Sequence, residues 1–397
     1  LKRATWPLAA ALLVAPVAVV LQNRVIAPLA LLAFTGAVLL GWRAGWRPKL
    51  ALTGPALPAA LLLLWMGVAS LWSVEPLRGW DTALRLAALL GLAWLAGQAV
   101  RGAPGAWWAA PIGVALGIAA AGFDMVSDHA LRAAVRGLAE APPTLAFGLK
   151  NAAAVLALLL PIGLVALRST AAAVPLALAA AGVILILPGE SAKLAVLAAL
   201  LVMPLAALWP RLVPRAIGAA LALAILAGPW ALQATLRQGF DASAWPYSAA
   251  HRLMIWDFVV SEIAERPILG HGMEASRAIP GGRDHPSPGT LARFRLPTDP
   301  AASWLPSSEL LPLHPHNAAL QIWLELGLIG ALLGAWLALA LGAAAARSPS
   351  PAAAAGSLVG GGIIAMLSYG AWQHWWVAAL ALAAVSLSLT WRDDRIP

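Results

Sequence analysis

The sequence predicts an all-α, polytopic membrane protein, and three observations carry that prediction. Apolar runs close to the roughly twenty residues needed to cross a bilayer as a helix recur along the whole chain. Only 11% of the 397 residues are charged and 61% are hydrophobic, against about 25% charged in an ordinary soluble domain. Mean hydropathy is +0.81. The runs are too long for buried strands and lack the polar alternation of a membrane β-barrel. Lipid cannot satisfy an open backbone, so the runs must be helices.

Twelve spans are expected in order, at about 7–21, 25–41, 56–73, 80–97, 106–123, 150–168, 171–187, 192–208, 214–231, 316–345, 352–368 and 372–391. They divide the chain into residues 1–231 with nine spans, a polar segment at 232–315, and residues 316–397 with three more. The first span follows Lys2 and Arg3 without a small-residue cleavage site, so it reads as a retained helix. Short-loop cations set the orientation. With the N-terminus inside, the cytoplasmic side receives Lys2, Arg3, Arg43, Arg47, Lys49, Arg101, Arg168, Arg211, Arg215, Arg347, Arg392 and Arg395. Both termini are then cytoplasmic, and the segments at about 124–149 and 232–315 lie outside. Within the larger one, Leu253, Trp256, Val260 and Ile263 recur at helical spacing, which predicts an amphipathic helix along the outer leaflet. The Pro- and Gly-rich stretch from 280 to 312 suits an irregular cover.

Composition also excludes some chemistry. There is no cysteine, so thiol and disulfide chemistry are out. The net charge of +9 is spread over many loops instead of one stripe, which argues against nucleic acid as a partner. Membrane lipids are the expected surroundings.

Candidate site residues gather on the outer side. Pro315 suits the first turn of span ten, which would place His316 in that turn, beside free N–H groups and the positive helix end. A neutral imidazole there can accept a proton from a hydroxyl; helix capping in the headgroup layer is the plainer reading of His314 and His316. Arg252 and Trp256 share a face at i, i+4. A guanidinium so placed can grip a phosphate or simply snorkel. Lys193 in the first turn of span eight opposes the macrodipole, so either a bound anion or a salt bridge to Glu190 explains it. Arg85 lies a turn inside span four, where a charge needs a partner or a function, and Asp81 is the obvious partner. Asn151 reads as a helix cap, and Glu325, two and a half turns beyond His316, as a packing lock. H-x-H at a helix start points its rings to different faces, and no D-x-D pair occurs in the outer segments, so neither a metal nor another cofactor is expected.

The run from His314-Pro-His316-Asn317 through Glu325, Gly327 and Gly330 resembles the H-x-H-N…E-x-G-x-x-G signature of the bacterial O-antigen ligase and polymerase superfamily. Arg252 to Trp256, followed by Pro267, Gly270 and Gly272, resembles that family's R-x-x-x-W…P-x-x-G-x-G segment. Ser191-Ala-Lys193 stands where the family shows Ser-Arg, so the bidentate grip of an arginine is missing there. Trp72-Ser73 and the Gly148, Lys150, Asn151 group are weaker marks.

This resemblance implies a GT-C-like glycosyltransferase of the bacterial inner membrane, with a large periplasmic segment and its site facing the periplasm. The donor would be an undecaprenyl-pyrophosphate-linked glycan, and the acceptor a sugar hydroxyl of lipid A–core. His316 would be the base, with Arg252 and Lys193 on the pyrophosphate. Arg85 joins them on the burial argument, and His314, Asn317, Glu325 and Asn151 support them. Transfer would invert the anomeric carbon without a metal. An O-antigen polymerase or a protein O-oligosaccharyltransferase would share these marks. A lipid-linked glycan transporter would instead place its charges near the bilayer midplane.

Overall fold

The computed structural model describes residues 2–167 and 169–390. Arg168, Arg392 and Arg395, counted above as cytoplasmic cations, lie outside the described residues. In chain order the α-helices are α1 (Trp6–Leu21), α2 (Ile26–Arg43), α3 (Ala56–Ala69), α4 (Pro76–Val100), α5 (Ala109–Val126), α6 (Ala130–Val135), α7 (Gly148–Ala166), α8 (Thr170–Ile186), α9 (Glu190–Leu208), α10 (Leu212–Gln238), α11 (Tyr247–Glu265), α12 (Pro288–Arg293), α13 (Ala318–Ala345), α14 (Pro351–Leu367) and α15 (His374–Ser386). Every one of the twelve expected spans is a helix. Eight of them (α1, α2, α4, α5, α7, α9, α10 and α13) are long and apolar enough to cross a membrane, while α3, α8, α14 and α15 are shorter apolar helices. This is the architecture of a polytopic membrane protein.

Two apolar cores share the interior. One gathers α1, α2, α4, α5, α8, α9 and α15 with α7, whose buried face includes Ala152, Val155, Leu156 and Leu159. The other joins α3, α10, α11 and α13. Small residues let the helix backbones meet. Gly218 of α10 and Gly342 of α13 face each other so closely that a Cβ on either would lie 2.9 Å from the other's Cα. Farther along this antiparallel pair, the Trp323 indole N–H donates to the Ile225 carbonyl at 2.7 Å. The bundle therefore has two distinct ends. One collects the starts of α4, α7, α9 and α13 with the close of α14. Arg43, Arg101, Arg211, Arg215 and Arg347 flank helix termini at the other.

The polar segment is not a separate layer. α11 forms where the helical spacing predicts it, but its apolar face is buried in protein instead of lying free on the leaflet. Leu253, Val259, Val260 and Ile263 pack into the second core with Phe294, Leu305 and Leu311 from the irregular stretch that follows. Enough nonpolar partners are supplied by the chain itself to take the place of lipid.

A break inside α13 joins this segment to the bundle. Gly327 adopts φ 63 and ψ −160, which is non-helical, in the middle of the helix. Such a break releases carbonyls that lipid could not satisfy. The chain between Pro267 and Gly272 satisfies them: His271 N–H donates to the Leu324 carbonyl at 2.8 Å, and Gly272 N–H to that of Glu325 at 3.0 Å. The Leu326 carbonyl accepts from the Trp65 indole at 2.9 Å. In return, Leu328 N–H donates to the Pro267 carbonyl at 2.9 Å. A Cβ at Gly327 would sit 2.3 Å from the Ile268 carbonyl oxygen, and one at Gly270 2.6 Å from the Glu325 carbonyl carbon. Gly327→Ala should therefore destabilise the fold by roughly 2–4 kcal/mol, through left-handed strain and a clash with backbone. The check is a lowered thermal midpoint in detergent, with Gly91→Ala, an open helical position, as the silent control.

Candidate functional site

The His314–Asn317 stretch stands at the end of the bundle where α13 begins. Its placement corrects the expected one. α13 starts at Ala318, and Asn317 is the N-cap, its side-chain oxygen accepting from Leu320 N–H at 3.1 Å. His316 thus precedes the helix instead of occupying its first turn, and takes a left-handed φ of 56. A β-carbon in that region costs about 1–2 kcal/mol, so the surroundings must hold it. Trp256 of α11 does part of this, donating its indole N–H to the Pro315 carbonyl at 2.8 Å.

The imidazole orientation is fixed as well. His316 Nδ1 lies 2.6 Å from the Ser368 carbonyl, at the close of α14. A carbonyl only accepts, so Nδ1 carries the proton and Nε2 presents a lone pair. His314 packs beside it, with ring centroids 4.2 Å apart. Its Nδ1 faces the His316 N–H at 3.2 Å and its Nε2 the Gln373 amide at 3.0 Å. Burial first, and then neighbouring cations, push His314 down to about 3 and His316 to about 4. Both rings are neutral at physiological pH.

Arg252 is the principal cation of the site. It lies one helical turn from Trp256, so the bond that holds Pro315 also brings the guanidinium to His316. Arg252, His251 and Lys150 all act electrostatically on the His316 ring. Burial lowers the pKa of Arg252, which forms no ion pair or hydrogen bond among the described residues. Arg277, Arg283, Arg293 and Arg295 of the same segment are each paired with a carboxylate. A half-buried cation without a counterion is unfavourable unless an anion binds beside it.

Lys150 was not among the predicted site residues. It sits in the first turn of α7, against Gly189 at the opening of α9, where a glycine Cβ would lie 3.6 Å from its Cα. The signal was its position beside Asn151. Asn151 itself is inside the first turn of α7 and not at its cap, since the helix begins at Gly148. A buried clasp sets that start. Arg132 and Asp124 are fully buried and paired at 2.7 Å, and Arg132 donates to the Leu145 carbonyl at 2.5 Å.

Lys193 stands at the start of α9 on the same end of the bundle, paired with Glu190 at 2.8 Å. Glu190 is exposed, so the pair is open to exchange. Arg85 behaves differently from the burial argument that selected it. Its side chain is 65% exposed and pairs with Asp81 at 2.8 Å. Its field reaches His374, and it does not contribute to the charge acting on His316.

Glu325 is the lock the sequence suggested, with more partners than the sequence could name. It is wholly buried and accepts from Glu274 N–H and the Trp372 indole, both at 2.8 Å, from the Gln321 amide at 3.0 Å, and from the Ser276 hydroxyl. Gln321 also accepts from Ala371 N–H at 2.8 Å. The Glu325 carboxylate thus ties the 272–277 loop and the turn between α14 and α15 to α13. That turn presents Ser368 to His316. Ser368, Gln373, Trp372 and Tyr369 were outside the sequence-based site because nothing local marks them. Among the described residues, no three His, Asp or Glu side chains converge as a metal-binding group would require.

The fold and the site together define a multi-pass membrane protein with a neutral histidine and unpaired cations at one end of its bundle. Comparison with known proteins finds similarity over part of the chain. Residues 152–335 match the family model described as O-Antigen ligase. Proteins of Rickettsia conorii and Rickettsia felis, which carry the provisional name polysaccharide ligase, are 36% and 35% identical over 152 residues. A Rickettsia prowazekii protein of the same name is 36% identical over 154 residues. Each alignment covers 38% of this chain and 34% of the relative, so the chain matches about a third of the length of these relatives. Through this segment the chain is similar to the O-antigen ligase family.

The two neutral histidines give the fold a pH dependence. An unfolded histidine titrates near 6.5, so between that value and the folded ones the unfolded chain binds more protons. Stability is then complete above about pH 6.5 and is lost as pH falls toward about 4. Thermal midpoints in detergent should drop from about pH 7.5 to about pH 5, and His314→Gln should flatten that slope.

Proposed function

We propose that this protein transfers a glycan from undecaprenyl pyrophosphate to a sugar hydroxyl of lipid A–core, as an O-antigen ligase of the bacterial inner membrane. The observation that carries the reading is the pairing of an oriented, neutral His316 with the unpaired Arg252 beside it. The site end of the bundle faces the periplasm in this reading. Arg43, Arg101, Arg211, Arg215 and Arg347 flank the opposite end, as cytoplasmic cations should.

In the proposed step, the acceptor O–H gives its proton to His316 Nε2 as its oxygen bonds to the anomeric carbon. The bond from that carbon to the phosphate oxygen breaks, and undecaprenyl pyrophosphate leaves with the electron pair. Attack opposite the leaving group inverts the anomeric centre. Arg252 and Lys150 stabilise the charge that builds on the pyrophosphate, and Lys193 can exchange Glu190 for a phosphate oxygen. Fixed cations at a departing anion typically supply the largest catalytic term. The depressed pKa keeps His316 in its accepting form without a metal or a carboxylate partner. Glu325 acts at a distance, by holding the turn that orients His316.

Reconstitution with lipid-linked glycan and rough lipopolysaccharide, in the presence of EDTA, tests this directly. A mobility shift of the lipopolysaccharide is expected. His316→Ala should reduce transfer by at least about a hundredfold, the usual lower range for removal of a general base, while donor binding persists. Arg252→Ala should weaken donor binding about tenfold or more. A ladder of longer lipid-linked glycans in place of the shift would make the protein a polymerase. For kcat/KM, the acid limb should fall near the value of about 4 held by His316, and not near 6.5. A limb at 6.5 would remove His316 as the base.

A further inference from the structure

We propose that a second site, between the last turns of α10 and the outward face of α11, binds a phosphate-ester headgroup that also carries a hydroxyl or ammonium group. A crevice of about 270 Å³ opens there, lined by Gln233 and Arg237 of α10, Asp257, Val260, Ser261 and Ala264 of α11, and Arg293. It is independent of the reading of His316. On α11, Asp257 and Ser261 follow Arg252 and Trp256 by five residues each, about 140° around the helix. The crevice therefore faces away from the His314–His316 stretch.

Arg293 is built in. It pairs with Asp257 at 2.5 Å, stacks on Phe294 at 4.9 Å, and is packed so tightly on Gly239 that a Cβ there would lie 2.5 Å from the Arg293 carbonyl oxygen. Yet its Nε–H is buried and has no partner. A buried donor left unmade costs about 1–3 kcal/mol, and an oxygen bound in the crevice would recover it. Arg237, across from it, is exposed and forms neither an ion pair nor a hydrogen bond among the described residues. Two guanidiniums flanking one space suit a phosphate.

The remaining groups specify what accompanies that phosphate. The Ser261 hydroxyl already donates to the Phe258 carbonyl at 2.6 Å, so it can only accept. Asp257 likewise accepts only. Both call for a donor two carbons beyond the phosphate ester oxygen, which a glycerol or ethanolamine headgroup supplies. Arg237 lies in the last turn of a membrane-spanning helix, the depth at which lipid phosphates sit. The same chemistry could come from a soluble glycerophosphate.

Native mass spectrometry of the delipidated full chain, titrated with dioleoyl phosphatidylglycerol, tests the site. Wild-type protein should hold one more lipid than Arg237→Glu, with affinity at least about tenfold higher. Gln233→Ala should fall between them. Because Arg237 is exposed, the variant should keep the wild-type thermal midpoint, which confirms folding. Glycerol 3-phosphate that displaces the extra lipid would identify the headgroup alone as the ligand; retention in its presence would identify the membrane lipid. Equal phosphatidylglycerol binding by wild type and Arg237→Glu would overturn the proposal.

Discussion

The site depends on the break in α13 at Gly327. An uninterrupted helix of that length would satisfy its own carbonyls and offer the polar segment no backbone to pair with. By opening the ladder for one turn, Gly327 exposes carbonyls that must find donors within the protein. Two come from the Pro267–Gly272 stretch and one from Trp65, so two distant parts of the chain are bound to one turn. Glu325, just before the break, extends the same junction through its carboxylate. Because that junction also holds the turn carrying Ser368, the orientation of the His316 ring follows from a glycine eleven positions away along the chain.

Charge placement follows from that scaffold. Most cations of the polar segment are balanced by a nearby carboxylate and act as struts. Arg252 is the exception at the site. It is half-buried, it lacks a counterion among the described residues, and it stands beside two imidazoles that burial keeps neutral. A neutral base and an unpaired cation suit a reaction in which a hydroxyl loses a proton while an anion departs. The opposite arrangement, a protonated histidine against a carboxylate, would bind a cation or donate a proton. Burial removes water from the imidazoles and so keeps them in the neutral form.

Much of this was legible in the sequence, for identifiable reasons. Twelve apolar helices could be read, eight of them long enough to span, because a lipid-facing helix needs a continuous apolar run, a property of neighbouring residues. Arg252, His316 and Glu325 could be read because their motif fixes residue type and spacing. The expected role of Arg85 rested on depth within a span. The structure gives it Asp81 and an exposed position, an outcome that turns on which helix packs beside it. His316 was expected two positions too far into the helix, because Pro315 suits a first turn but Asn317 is the better cap. Lys150 went unassigned because its nearness to His316 is set by the meeting of α7, α9 and α14.

By itself, the sequence determined the membrane architecture, most helix boundaries to within a few residues, and the residue types able to move a proton or hold an anion. The tertiary structure alone decided which cations remain unpaired, which nitrogen of His316 is free, and that Ser368 and Trp372 belong to the site. Helix formation is settled by contacts a few residues apart, within reach of a pattern. Ion pairing, tautomer and burial are settled by partners as far as 54 positions away, and these meet only when the broken helix is closed by another part of the chain.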